Sequence, residues 1–393
     1  INQLISGNIK PIEILQNKLI KGKAGKVLFN SLLTFQLIAF IALISASVLI
    51  RQQLLFMQES DLGFNKESLI SMNIAPDDVS AYPVFKEELR KRANIKNIAG
   101  SSNLPLTKFS TIYGEAYTDS LGNQQIRTTE FINVDADYFK TMEIDFSQGN
   151  DFKGNTAKQC IVNQTLIKER GVKDPLNEII ILGRKEYRIS GVVEDFHNKA
   201  MQMSIKPFVA YCNPDNISYV IIRFSGNPSE TIDLMKEATK RYLPNTIFEY
   251  EFFDQRVKAA YSSERTLSNI ISLLTVLSIL IAVLGLLGVS YFSSLLRIKE
   301  IGIRKVNGAT ISEVMAMLNR DFVKWVAIAF VIATPVAYYA IHKWLENFAY
   351  KTTLSWWIFA LAGVLALGIA LLTVSWQSWK AATRNPVEAL RYE

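Results

Sequence analysis

The chain has 393 residues, 49% hydrophobic and 20% charged, with a formal net charge of +7 and a mean hydropathy of +0.14. So apolar a chain that still carries ordinary surface charge is neither wholly soluble nor wholly embedded, and its length leaves room for several membrane spans and one or two soluble domains. Cys160 and Cys212 make no disulfide framework, and with His197 and His342 as the only histidines no Cys/His cluster has zinc spacing, which argues against metal and redox chemistry.

Residues 1–27 are polar and basic, with Lys10, Lys18, Lys21, Lys23 and Lys26 opposed mainly by Glu13, and read as a cytoplasmic segment. The chain begins at Ile1 rather than Met, and nothing before the first apolar run reads as a cleavable signal, so a piece of a longer protein is expected. Residues 28–50 carry no charge; at 1.5 Å per residue, about 20 residues cross about 30 Å of hydrocarbon, which makes this transmembrane helix 1. Good helix formers continue past Arg51 without a breaker until Gly63, so the helix should project beyond the bilayer as a stalk.

Residues 51–266 contain no run long enough to span, and Gly, Pro and Asn punctuate short elements as in a folded α+β domain. Residues 68–74, 82–92 and 95–100 read as strand, helix and strand, and 219–224, 228–242 and 247–253 repeat that order. Two β-α-β units therefore bracket a middle portion, expected as a separately inserted subdomain. The middle carries a hairpin turning at Leu121-Gly122-Asn123, a strand at 159–162 and a second hairpin turning at Gly183.

Residues 267–296 are uncharged and longer than a bilayer requires, so this second transmembrane helix must tilt or overhang. A third span is expected at 322–341, kinked at Pro335, then a Trp-rich loop, a fourth span at 357–376 and a basic tail at 377–393. Ser272, Thr275 and Ser278 in the second span are expected to bond to helix carbonyls rather than to line a polar path. Gly285 and Gly288 would let helices pack closely, though without GxxxG spacing. Spans that carry no charge apart from Lys324 near the start of the third argue against an ion-coupled carrier.

Between the second and third spans lies the most informative stretch, residues 297–321. Arg297, Lys299, Glu300, Gly302, Arg304 and Lys305 occupy a short helix that should stop at Asn307-Gly308. After Ala309, Thr310 and Glu313 have the spacing of a capping box, and Val314, Met315 and Leu318 follow. An ordinary basic loop would show the charges without the glycine stop and the cap. The expected object is a capped knob whose Val314, Met315 and Leu318 face a partner. Lysines and arginines crowd 1–27, 297–321 and 377–393, whereas the Trp-rich loop has only Lys343 and Lys351. Both termini and the knob are thus placed in the cytoplasm, with the large domain on the other side.

Asp195 and His197 could be an acid/base or metal pair, but with no further His or Cys nearby, packing at the end of a hairpin is the better account. Two cysteines fix no geometry for a bridge, and buried strand thiols are the simpler reading of Cys160 and Cys212. A membrane-anchored sensor or regulator with an extracytoplasmic ligand-binding domain is the alternative architecture, yet it should continue into a cytoplasmic signalling domain, and only residues 377–393 follow the fourth span here. An anchored enzyme would need a catalytic constellation, and none is visible.

In order and motifs the chain resembles the FtsX/MacB-type permeases of ABC transporters. The residues that carry the resemblance are Lys299-Glu300-Ile301-Gly302-Ile303-Arg304-Lys305-Val306-x-Gly308-Ala309, Gly191-Val192-Val193-x-Asp195-Phe196-His197 and Asn385-Pro386-Val387-Glu388-Ala389-Leu390-Arg391-Tyr392. The resemblance implies a cytoplasmic ABC ATPase docking on the helix after Gly308. It also implies spans that pass ATP-driven motion to the external domain, called mechanotransmission, and bracketing β-α-β units that form the membrane-proximal subdomain. The expected setting is the bacterial inner membrane, with membrane lipid, a second permease half or subunit, and a periplasmic adaptor or cargo as partners, and no nucleic acid. No G-x-x-x-x-G-K-[ST] phosphate loop occurs, so no cofactor is expected here and ATP would be bound by the partner. Lys10-Pro11-Ile12-Glu13-Ile14-Leu15 matches the terminal motif in its Pro-aliphatic-Glu-x-Leu pattern, which suggests the C-terminal half of an eight-span permease.

This orientation has a direct test. In a cysteine-free background with any outer membrane opened, Asn123→Cys should react with an impermeant thiol reagent added outside sealed cells, and Asn307→Cys should not; labelling at position 307 would overturn it.

Overall fold

The computed structural model describes residues 23–107, 111–118, 124–153, 158–182 and 185–383. These form two compact units. A helical unit takes in the chain up to Leu54, Glu264–Asn347 and the chain from Lys351, and an α/β unit takes in Leu55–Ser263 and Phe348–Tyr350.

After α1 (Lys23–Glu59), the α/β unit runs β1 (Leu69–Asn73), α2 (Tyr82–Arg90), β2 (Ile95–Ser101), β3 (Thr111–Thr118), β4 (Gln124–Val134) and α3 (Tyr138–Met142). It continues with β5 (Phe146–Gly149), β6 (Gln159–Asn163), α4 (Gln164–Arg170), β7 (Ile179–Leu182), β8 (Lys185–Val193) and β9 (Phe208–Cys212). Then come β10 (Tyr219–Phe224), α5 (Pro228–Tyr242), β11 (Tyr250–Phe252) and α6 (Phe253–Ala260). The sheet order is β11-β1-β10-β2-β4-β9-β6-β8-β5, with β3 on β4 and β7 on β8.

The two β-α-β units interleave: β10 lies between β1 and β2, and all three pairings of β11, β1, β10 and β2 are antiparallel. This is the split β-α-β arrangement, in which each crossover leaves a gap that a strand of the other unit fills. Tyr82, Phe85 and Leu89 of α2 and Met235 of α5 bury against Ile70, Met72, Ile98, Val220 and Ile222. The middle portion has its own core but shares the sheet. β2 meets β4 through the pair Ser101↔Val134, so one sheet runs through both portions. β4 pairs in parallel with β9, and β6 in parallel with β8, over a core of Cys160, Val162, Leu166, Ile180, Ile189, Val192 and Val209. Both expected hairpins are antiparallel pairs, β3 with β4 and β7 with β8; their turn residues, 119–123 and 183–184, lie outside the described residues.

The strand expected over 247–253 is shorter, because the chain before Tyr250 is tied elsewhere. Asp78, in the turn Pro76–Ala81 and only 3% exposed, accepts from Asn245 N (2.9 Å), Asn245 Nδ2 (2.9 Å) and Thr246 Oγ1 (2.7 Å). A second buried anchor is Arg223 on β10, whose guanidinium donates to Thr141 O (2.7 Å), Glu67 O (2.9 Å) and Asn65 O (2.8 Å).

In the helical unit α1, α7 (Ser262–Leu296), α9 (Ile311–Leu345) and α10 (Trp356–Ala382) flank the short α8 (Ile298–Val306). The four long ones are apolar enough to cross a membrane. Leu37, Phe40, Ile41 and Ile44 of α1 pack with Leu286 of α7, Val326, Ala329 and Ala333 of α9, and Ala362, Ala366 and Ala370 of α10. Alanines four apart on facing helices let backbones approach closely, as membrane packing favours. Gly363 sits at such a contact, where a Cβ would lie 2.6 Å from the Phe330 ring, and at Gly285 a Cβ would meet Gln36; at Gly288 it would meet nothing within 4 Å. Thr275 Oγ1 bonds to Ile271 O (2.7 Å) and Leu43 O (3.2 Å), and Ser272 Oγ lies 3.3 Å from Ser47 Oγ. The capped helix and the third span are one helix. α9 runs unbroken from the cap through Pro335, because nothing between Asn319 and Phe322 stops it and a continuous helix satisfies its own amides.

The Asp78 anchor carries a pH dependence. Burial opposes ionisation, but hydrogen bonds from Thr246 and Asn245 outweigh it and hold the carboxyl below its ordinary value of 3.8. A depressed folded value means stabilisation that is present above the unfolded pKa and lost as pH falls through the folded one. Denaturant unfolding of the purified chain should therefore weaken below about pH 4. Asp78→Asn should cost about 1–3 kcal/mol at neutral pH and flatten that acid dependence.

Candidate functional site

The stretch that the sequence singles out folds as an elbow. α8 ends when Gly308 takes φ +89°, with Gly308 N–H donating to Lys305 O (3.1 Å) and Ala309 N–H to Arg304 O (3.0 Å). That pair of bonds is the Schellman stop. A Cβ on Gly308 would meet nothing within 4 Å, so glycine is required for its dihedral, not for space. Thr310 then caps α9. Its Oγ1 accepts from Glu313 N (3.4 Å), and Glu313 Oε2 accepts from Thr310 N (2.9 Å), closing both halves of the capping box.

The elbow is braced from inside. Ile301, Val314 and Leu318 form a core with Ala382, the last residue of α10, with Ala309 and Met317 packed against it. Gly302 is buried beside them. Lys305 Nζ donates to Ala382 O at 2.6 Å, a cation placed where a helix end leaves its carbonyls unpaired. Arg297 pairs with Asp321 at 2.6 Å, and Asn319 Nδ2 donates to Ser375 Oγ at 2.8 Å. The exposed Arg304–Glu300 pair, at 3.1 Å, adds little.

The expected outward face of Val314, Met315 and Leu318 is turned inward at two of its three positions. Val314 and Leu318 are 1% and 3% exposed and belong to the intrachain core, and Met315 is half-buried. Helical spacing puts Val314 and Leu318 on one stripe, and the end of α10 covers that stripe. The apolar side chains that the elbow offers outward are Ile303 (55% exposed), Val306 (65%) and Ile311 (43%), beside exposed Lys299, Glu300 and Arg304. The sequence reading missed these three. The signal was their spacing: with Ile301 and Gly302 inward, 303 and 306 fall on the opposite side of α8.

Asp195 and His197 do not form a reactive pair. Asp195 accepts from Thr165 N (2.9 Å) and Thr165 Oγ1 (2.7 Å), anchoring the first turn of α4. His197 is buried; burial pulls its ring below the ordinary 6.5, against the charges of Asp61 and Asp195. No disulfide joins Cys160 and Cys212, and burial pushes the Cys160 thiol up to about 12, which makes it unreactive. Among the described residues no three His, Cys, Asp or Glu side chains are grouped to hold a metal. The motifs at 10–15 and 385–392 lie outside the described residues.

Residues 37–242 match the MacB-like periplasmic core domain, and residues 272–386 match the FtsX-like permease C-terminal domain. The chain belongs to the FtsX/MacB-like permease family. The macrolide export ATP-binding/permease protein MacB of Chromobacterium violaceum is 24% identical over 311 residues, covering 72% of this chain and 48% of that protein. MacB of Escherichia coli K12 is 24% identical over 267 residues, covering 63% and 36%. The chain thus spans half or less of the curated relatives it matches. Among solved structures, the periplasmic region of MacB from Actinobacillus actinomycetemcomitans gives a TM-score of 0.36 at 12% identity, covering 51% of this chain and 94% of that one. The extracellular domain of the Gram-positive ABC-type transporter YknZ gives 0.31 at 14%, covering 46% and 98%.

The glycine stop is testable by its dihedral alone. Gly308→Ala should destabilise the elbow by about 1 kcal/mol, and Gly308→Asn by less, since Asn tolerates the left-handed region better. Amide exchange at 309–314 should quicken in that order; equal exchange in all three proteins would mean that the positive φ is not held.

Proposed function

We propose that this chain is the non-catalytic permease subunit of an ABC transporter, in which ATP hydrolysis by a separate ATPase moves the α8–α9 elbow and, through the spans, the α/β unit outside the membrane. The observation that carries this reading is the bracing of the elbow. A push on α8 meets Arg297–Asp321 into α9 and Lys305–Ala382 into α10, so it is delivered to two spans instead of being absorbed in a loop. The exposed Ile303, Val306 and Ile311 are the surface such an ATPase would cover. The relatives are named ATP-binding/permease proteins, and that pairing of functions supports an ABC transporter setting for the permease part. On this reading ATP is bound by the partner, the elbow and termini are cytoplasmic, and the chain sits in the bacterial inner membrane with a second permease half or subunit. The α/β unit then acts on a periplasmic adaptor or cargo.

Burying a valine or isoleucine is worth about 1.5–3 kcal/mol, and a buried carboxylate adds a desolvation cost. Val306→Asp and Ile311→Asp should each weaken association with the copurifying ATPase tenfold or more. Val84→Asp, at an equally exposed position on α2, should leave it unchanged. If both elbow variants bind the ATPase and stimulate its turnover like the parent, the docking surface lies elsewhere.

A further inference from the structure

The motif that ends in Asp195-Phe196-His197 leads into a segment, 195–203, that meets the chain at three entries to long helices. Just past α1, Leu62 O accepts from His197 N at 2.8 Å. Beside it a Cβ on Gly63, at φ +74°, would lie 2.8 Å from Asp195 O and Phe196 Cα, so the two backbones lie too close for any side chain. At the other junction Tyr261, the single residue between α6 and α7, is fully buried, and its hydroxyl accepts from Met201 N at 3.3 Å.

The third meeting involves the connection between α9 and α10. Phe348–Tyr350 belong to the α/β unit, although Asn347 and Lys351 on either side belong to the helical unit. Ala349 N–H donates to Gln202 O (3.1 Å) and Tyr350 N–H to Met201 O (3.3 Å). The Tyr350 ring stands edge-on to His197 with centroids 4.7 Å apart, and Phe348 is buried. A connection that only links two helices would leave its amides to water. Here two amides and two aromatic rings are committed.

We propose that Phe348–Tyr350 is a strap through which α9 and α10 hold the 195–203 segment, giving the α/β unit a mechanical tie to the third and fourth spans besides those through α1 and α7. Little slack is available. Three bonds separate Leu345 from Phe348, a reach of about 10 Å when extended. On the far side Thr352 N–H is held by Gln53 Oε1 of α1 at 2.8 Å, inside the helical unit. A displacement of the end of α9 therefore moves the strap or unravels the last turn of the helix. The docking of the strap stands on its own geometry, whereas its use as a relay rests on the proposed function.

Hydrogen exchange on the full chain tests both parts. In the parent, amides 349 and 350 should exchange at least about tenfold more slowly than in an unstructured chain. Ala349→Pro, which removes one donor, should speed exchange over 196–203 severalfold and leave β10 unchanged, whereas Ala349→Gly, which keeps the donor, should behave as the parent. Unprotected amides at 349 and 350 in the parent, or an unchanged 196–203 segment in the proline variant, would overturn the docking. With the copurifying ATPase bound, adding ATP should alter exchange over 196–203 in the parent, and the change should fall by half or more in the proline variant at unchanged turnover. A full response in the variant would overturn the relay and leave the docking intact. No response in the parent would remove the relay together with the proposed function, again leaving the docking to the first comparison.

Discussion

Inside a bilayer a backbone amide has no water to turn to, and that constraint shapes this chain. Each of its four long apolar helices runs unbroken for 27 residues or more, even through Pro335. Every change of direction is deferred to the helix ends. These ends carry a positive φ at Gly63 after α1 and at Gly308 before α9, the capping box at Thr310, and the bonded amides of Ala349 and Tyr350 between α9 and α10. The junctions are therefore where the helical backbone changes direction.

The α/β unit meets the same demand with charge. Arg223 would be a costly buried cation if alone, yet three carbonyls and Glu143, at 3.2 Å, surround its guanidinium. Lys86 of α2 likewise reaches Asp135 at 2.6 Å and Asp137 at 2.5 Å, just before α3, while Tyr82 donates to Asp135. One anchor joins β10 to the loop before β1 and the end of α3; the other joins α2 to the start of α3. Both fasten the short helix α3 to the split β-α-β layer, which stiffens the sheet where β2 and β4 share their single pair.

What the sequence made legible was local. Runs without charge marked the spans, the Asn307-Gly308 pair marked the stop, and the T-x-x-E spacing marked the cap, because each depends on residues within one or two turns. What stayed hidden needed a partner from afar. Val314 and Leu318 share a stripe by spacing, but only the fold shows Ala382 covering it, which turned an expected docking face into a core. The interleaving of β10 between β1 and β2 has no local signal either, since both the separate and the split arrangements use the same strand-helix-strand text. Thr310 and Glu313 could be read; Lys305 reaching the carbonyl of Ala382, 77 residues on, could not.

These pieces give α9 and α10 a particular mechanical character. Their facing alanines, Ala329 and Ala333 against Ala362, Ala366 and Ala370, are almost wholly buried, and small side chains in contact have few rotamers with which to absorb a displacement. Asn319 adds hydrogen bonds to Ser375 and Ser378 across the same pair. At one end the pair carries the braced elbow, through Arg297–Asp321 and Lys305–Ala382; at the other its connection is committed to the 195–203 segment. On the proposed reading, a pair of helices packed this closely and held at both ends would carry a displacement as one body. A loose basic loop at the start of α9, or a free loop after it, would leave such a displacement to dissipate.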